Sequence, residues 1–132
     1  MKEPIWVPRL AVEAMHFDQL REHGGLPGLR DENALEAALA RPQQKFAYAE
    51  RIDLAGLAAA YSFGLARSHA FRDGNKRIAF LTAAVFLELN GQEVTASETD
   101  VVTAMVSLAE GSLTEPRMAK WWREHMKPRR SA

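Results

Sequence analysis

The sequence predicts an all-α protein, a compact bundle of about six helices built around a central buried pair. Three observations lead there. From Asp53 onward, Leu54, Leu57, Ala58, Tyr61, Leu65 and Ser68 recur at steps of three and four residues, which lines them up on one helical face. From about Lys76 to Leu89 the pattern repeats, with Ile78, Leu81, Thr82, Val85, Phe86 and Leu89 inward. Sustained alternation of apolar and polar residues is absent, as are internal repeats and low-complexity segments, which disfavours a sheet-based fold.

Taken in order, the first helix covers about Arg9 to Glu22 and stops at Gly24-Gly25. The second covers Asp31 to Ala40 and ends before Pro42, since the residue preceding a proline is disfavoured in the helical region. Two loops flank it: His23 to Arg30, rich in glycine, and the polar stretch Arg41 to Ile52. Asp53 caps the third helix by accepting bonds from its first free N–H groups. That helix, with Ala55, Ala58, Ala59, Ala60 and Phe63, is apolar nearly all round, the mark of a buried central element. Asn90-Gly91 ends the fourth helix, because glycine tolerates the left-handed closing conformation. Gln92-Glu93-Val94 reads as a very short extended piece. The fifth helix spans Ser97 to Glu110, where Ser97 and Asp100 form a capping-box-like pair. The sixth runs from Thr114 to Met126, with Pro116 in the first turn, where a missing N–H costs little. Lys127, Arg129 and Arg130 then make a short flexible basic tail from about residue 127.

With 132 residues the chain has the usual size of one domain, expected to span 1–132. A core of that size buries about two-thirds of the unfolded surface without disulfide staples. There are no cysteines, which excludes thiol nucleophiles and thiolate zinc sites and fits a reducing, cytoplasmic setting. The residues after Met1 lead into no apolar run of the kind a secretion signal needs. Uncharged apolar stretches such as Ile78 to Leu87 are far short of the ~20 residues of a membrane span. Lys plus Arg and Asp plus Glu number 17 each, so the basic excess that advertises direct nucleic-acid binding is missing.

The segment Ser68-His69-Ala70-Phe71-Arg72-Asp73-Gly74-Asn75-Lys76-Arg77 carries the chemistry. It lies between the two most buried helices, yet gathers a histidine, a carboxylate, an amide and three cations. Such groups line a cavity or pair with each other, because burying them idle is costly. A helix start offers unpaired N–H groups and a positive dipole end to an anion. Gly74 lets the backbone approach a phosphate closely. Arg77 can clamp phosphate oxygens in a fork, Asp73 offers hard oxygen to magnesium, and His69 can accept a proton near neutral pH. Residue by residue, plainer readings stand beside these. Asp-Gly-Asn is an ordinary turn, Lys-Arg at a helix start is commonly solvated, and Phe71 is most simply a core anchor pinning the loop.

His69-Ala70-Phe71-Arg72-Asp73-Gly74-Asn75-Lys76-Arg77 resembles the Fic-domain signature His-x-Phe-x-Asp/Glu-Gly-Asn-Gly/Lys-Arg, and the lysine points to the death-on-curing (Doc) branch. Gly24-Gly25-Leu26-Pro27-Gly28 with Asp31, Ala47-Tyr48, Asp53-Leu54, Tyr61, and Phe86-Leu87 with Asn90-Gly91 extend the resemblance over residues 20–91. It implies a toxin of a toxin–antitoxin system that uses ATP and Mg2+ to modify a protein hydroxyl. His69 would be the general base, with Lys76 and Arg77 beside it. Asp73 would hold magnesium on the phosphates, Asn75 and Arg77 would fix phosphate oxygens, and Phe71 and Gly74 would complete the nucleotide-holding part of the loop. Gly24, Gly25 and Leu26 would be a flap that orders the target segment by backbone pairing. Fic enzymes with glycine at the Lys76 position transfer AMP, whereas Doc proteins carry lysine and transfer the γ-phosphoryl group. The expectation is therefore a protein kinase, with AMP transfer as the alternative and a catalytically silent helical binding module as the third reading. Resemblance to Doc also suggests elongation factor Tu as target and a Phd-like antitoxin acting in trans. Ala70 departs from the commonest Fic pattern, where proline is frequent, and Gly74 stands where some Doc proteins have alanine. Glu110-Gly111 supplies the end of a self-inhibitory Ser/Thr-x-x-x-Glu-Gly/Asn motif, but Val106 occupies its start, so the motif fails.

The remaining histidines, His16, His23 and His125, lack ligand partners at metal spacing and read as surface or helix-end groups. Trp121 and Trp122, with Met118 and Met126, read as core plus one partly exposed ring. Arg67 reads equally as a phosphate contact or as solvated helix surface.

Overall fold

The computed structural model describes residues 1–130. Its elements run α1 (Arg9–His23), α2 (Glu32–Tyr48), α3 (Leu54–Ser68), α4 (Asn75–Leu89), β1 (Gln92–Val94), α5 (Glu98–Glu110), α6 (Glu115–Glu124) and β2 (Met126–Pro128). Helix α3 is the axis, packed against α2, α4, α5 and α6. Leu57, Ala58, Ala59, Ala60, Tyr61, Ser62 and Leu65 along it are fully buried. The alanines matter geometrically, because short side chains let several helices approach one backbone.

Most polar groups inside this core are partnered, the buried Thr82 hydroxyl being the exception among the described residues. Trp122 Nε1 donates to Ser62 Oγ at 3.0 Å, and the Ser62 hydroxyl donates to the Ala58 carbonyl at 2.9 Å. The Tyr61 hydroxyl accepts the Val7 N–H at 3.1 Å, and burial pushes the phenol pKa up. The N-terminal segment thereby lies over the bundle, with Trp6 stacked on Phe86.

Four helices start where the sequence places a capping side chain. Asp31, Asp53, Ser97 and Thr114 accept from Ala34 N, Gly56 N, Asp100 N and Arg117 N. The reciprocal half expected from Asp100 is not made: its carboxylate turns toward His125, 3.8 Å away.

Asp53 also receives the Arg123 guanidinium in a fork, at 2.9 and 3.1 Å. Arg123 beside it, helped by the Gly56 N–H, holds the Asp53 carboxyl below the usual range. A carboxyl depressed by folding stabilises above its unfolded pKa of about 3.9 and loses that contribution as pH falls through the lower folded value. Asp53→Ala is expected to cost about 1 kcal/mol at neutral pH, nearly all from the cap, because the ion pair is half exposed. Denaturant midpoints of variant and parent should converge once pH drops well below about 4.

Three expectations are corrected. Helix α2 does not end before Pro42 but runs through it to Tyr48, so the polar loop shrinks to the few residues before Asp53. Proline removes one helix bond, and contacts on either side of it offset the loss. Arg41 and Lys45 both pair with Glu115 of α6, Pro42 itself is buried, and Phe46 packs edge-on against Trp6. The tail from about 127 is not free. Met126–Pro128 pairs antiparallel with Gln92–Val94, the Arg129 N–H reaches the Gly91 carbonyl at 2.9 Å, and its guanidinium reaches the Glu88 carbonyl at 2.8 Å. Residues 131–132 of that tail lie outside the described residues. Leu89, expected inward, is 42 % exposed, while Leu87 takes the fully buried position in the last turn of α4.

Candidate active site

The loop between α3 and α4 is short because both helix ends close abruptly. Helix α3 ends at His69 in the left-handed conformation, φ 50° and ψ 40°, the one non-glycine residue with positive φ among those described. This is a costly backbone for a side chain with Cβ and is characteristic of functional sites. It swings His69 off the helix line into solvent, where its imidazole makes no hydrogen bond to the described residues. Helix α4 begins after Gly74, itself at φ 78°.

Between these ends the chain is held by its own side chains. Phe71 is buried, and the Asn75 carboxamide grips it at two points: Oδ1 accepts the Phe71 N–H at 3.0 Å and Nδ2 donates to the Phe71 carbonyl at 2.9 Å. Asn75, expected to fix phosphate oxygens, thus has its amide engaged in shaping the loop. No side chain caps α4 and no acidic residue stands in its first turn. Its free amide groups and positive dipole end therefore face outward, flanked by the exposed side chains of Lys76 and Arg77. Neither cation has an acidic partner among the described residues, an arrangement suited to an anion of high charge.

The glycine-rich segment after α1 lies alongside. Leu29 and Phe71 form an antiparallel bridge, the Arg72 N–H donates to the Gly28 carbonyl at 3.2 Å, and Ala70 carbonyl accepts from Arg30 N and Asp31 N. Leu26 N donates to Asp73 Oδ2 at 2.6 Å. Gly25 sits so close that a Cβ there would lie 3.1 Å from Asp73 Cβ, at a φ of 122°. Gly24, Gly25 and Leu26 are thereby brought against Asp73, with the Leu26 side chain exposed.

Asp73 leaves one carboxylate oxygen free of the flap, and no cluster of three or more metal-type side chains occurs among the described residues. That donor set suits magnesium, which is commonly held by one or two carboxylates together with substrate phosphates and water.

His16, expected at the surface or a helix end, is instead 4 % exposed, in mid-α1. Its ring stacks on Phe71 with centroids 3.8 Å apart, and Nε2 lies 2.8 Å from the Asp73 carbonyl oxygen. Its register one turn after Val12, the other buried residue of α1, was the only available signal. Trp122 is buried and Trp121 partly exposed. Arg67 lies over the Phe63 ring, and Gly111 closes α5 as an ordinary left-handed helix end. No helix among the described residues is long and apolar enough to cross a membrane.

The family model described as "Fic/DOC family" matches residues 6–87, a span containing the whole loop. The chain is 37 % identical over 106 residues to "Protein kinase doc" of Escherichia phage P1, covering 80 % of this chain and 83 % of that protein. It is 44 % identical over 77 residues to "Toxin Doc" of Mycolicibacterium smegmatis (strain ATCC 700084 / mc(2)155), covering 55 % of this chain and 57 % of that protein.

Proposed function

Because the chain belongs to the Fic/DOC family, we propose that it is the toxin of a toxin–antitoxin pair, a protein kinase that moves the γ-phosphoryl group of ATP onto a hydroxyl of a target protein. The observation that carries this reading is the uncapped start of α4, with Lys76 and Arg77 exposed beside it and the unbonded imidazole of His69 across the loop.

His69 takes the proton from the attacking hydroxyl, whose oxygen bonds to the γ-phosphorus as the bond from that phosphorus to the β–γ bridging oxygen breaks and ADP leaves. In such transfers positioning and charge stabilisation do most of the work. The α4 amides, Lys76 and Arg77 supply both to the phosphates. Asp73 would hold magnesium, which when bound neutralises phosphate charge. Gly24, Gly25 and Leu26 present backbone groups to the target segment, and Asn75 with Phe71 keeps the loop in shape.

In this reading the target is a translation factor of the elongation factor Tu type and the protein acts in the cytoplasm. A Phd-like antitoxin restrains it in trans, since Val106 leaves the chain without the self-inhibitory motif.

The test incubates the protein with bacterial lysate and ATP labelled on either the γ-phosphate or the adenosine. Label should enter protein from the γ-phosphate alone, and Lys76→Gly should lose it. An adenylyl adduct made by the unmutated protein, seen by mass spectrometry, would replace the kinase assignment with AMP transfer.

A further inference from the structure

His16 sits in α1, 57 positions before the residue it touches, yet it is among the most enclosed polar side chains of the protein. Its neighbours in sequence, Phe17 and Asp18, are exposed. The ring lies nearly flat on Phe71, with planes 19° apart, so the loop itself fixes the imidazole plane. In that plane Nε2 points at the Asp73 carbonyl from 2.8 Å. A carbonyl oxygen only accepts, so Nε2 carries the proton. The same nitrogen borders Gly74, where an added Cβ would come within 3.5 Å of it.

Resting on the phosphoryl-transfer reading, we infer that His16 is a positioning residue for the active-site loop. Its Nε2–H holds the Asp73–Gly74 peptide unit and so sets the direction in which the N-terminus of α4 meets the phosphates. Two features make this more than core filling. The bond falls on the backbone between the carboxylate of Asp73 and the glycine that starts α4, where the chain turns at positive φ. Asn75 braces only Phe71, leaving the Asp73 carbonyl to His16. A misplacement of about 1 Å at such a point can cost on the order of 10²-fold in rate.

Two variants of the full chain separate the donor from the ring. In His16→Gln the amide nitrogen reaches the position of Nε2 and still donates, whereas His16→Phe keeps the ring and its stacking but cannot donate. Two quantities are read: the Gly74 backbone amide resonance in 15N-labelled protein, and the rate of γ-label transfer from ATP to lysate protein as ATP is varied. Gln should keep the Gly74 resonance near its original position and the maximal rate within about threefold. Phe should shift that resonance and lower the maximal rate about 10–10²-fold, with half-saturating ATP moving less than the rate, since Lys76 and Arg77 still hold phosphate. A Phe variant with unchanged resonance and rate overturns the inference. So does an equal loss in both variants, which would show that a donor at the Nε2 position does not by itself carry the role. If the unmutated protein transfers no label, the functional reading fails, while the Gly74 comparison still decides the anchoring. Should the Phe variant not fold, the Gln variant decides alone: resonance and rate retained uphold the donor role, and their loss refutes it.

Discussion

Replacing His69 by alanine is expected to lower group transfer by about 10²–10⁴-fold while ATP binding persists. A general base assists removal of the hydroxyl proton in the transition state and holds no phosphate. In the proposed mechanism the phosphates are left to the α4 amides, Lys76 and Arg77, none of which depends on the imidazole. The backbone at His69 calls for a control, because its left-handed conformation is strained for most side chains. His69→Asn tolerates that conformation and lacks a comparable base. Both variants should therefore be equally inactive, with nucleotide affinity near that of the parent by calorimetry. A variant that loses affinity but keeps its turnover would make His69 a ligand-binding group.

Leu57→Asp is expected to abolish cooperative folding. Leu57 is fully buried on α3, the helix that four others contact. Removing a buried leucine costs about 2–5 kcal/mol, and leaving an unpaired carboxylate in its place costs several more. Domains of this kind are stable by about 5–15 kcal/mol, so the sum consumes most or all of the margin. Leu57→Ala, which meets only the first cost, should remain folded with a lowered midpoint. Thermal unfolding followed by circular dichroism distinguishes them, and a fully folded Leu57→Asp protein would show that α3 is not the core helix.

Much of the fold was legible because the signals are local. The periodicity of Leu57, Tyr61 and Leu65, the capping oxygens of Asp53 and Ser97, and the glycine at Gly74 act within a few residues of their own position. The candidate site loop was legible for the same reason. Residues 69–77 are contiguous, and a histidine, a carboxylate and cations between two apolar helices stand out before any contact is known.

What the tertiary structure alone decided are choices between locally reasonable alternatives. Pro42 argues for a helix end, and only the Arg41 and Lys45 pairings with Glu115, some 70 positions away, carry α2 onward. Met126–Pro128 has no strand signal of its own; it becomes a strand because Gln92–Val94 is beside it, a pairing whose free energy belongs to neither segment separately. Asn75 reads as a phosphate ligand, and only the folded loop shows its carboxamide bonded to Phe71 as well. His16 has only its register with Val12 to mark it in the sequence, since a histidine on a helix face acquires a partner only when α1 comes to rest against the loop and places Phe71 and the Asp73 carbonyl around it. Sequence therefore specified the elements and the candidate reacting groups, whose physics is short-range. Packing specified which of their spare hydrogen-bonding groups remain open to a ligand, because that depends on what else arrives in the same place.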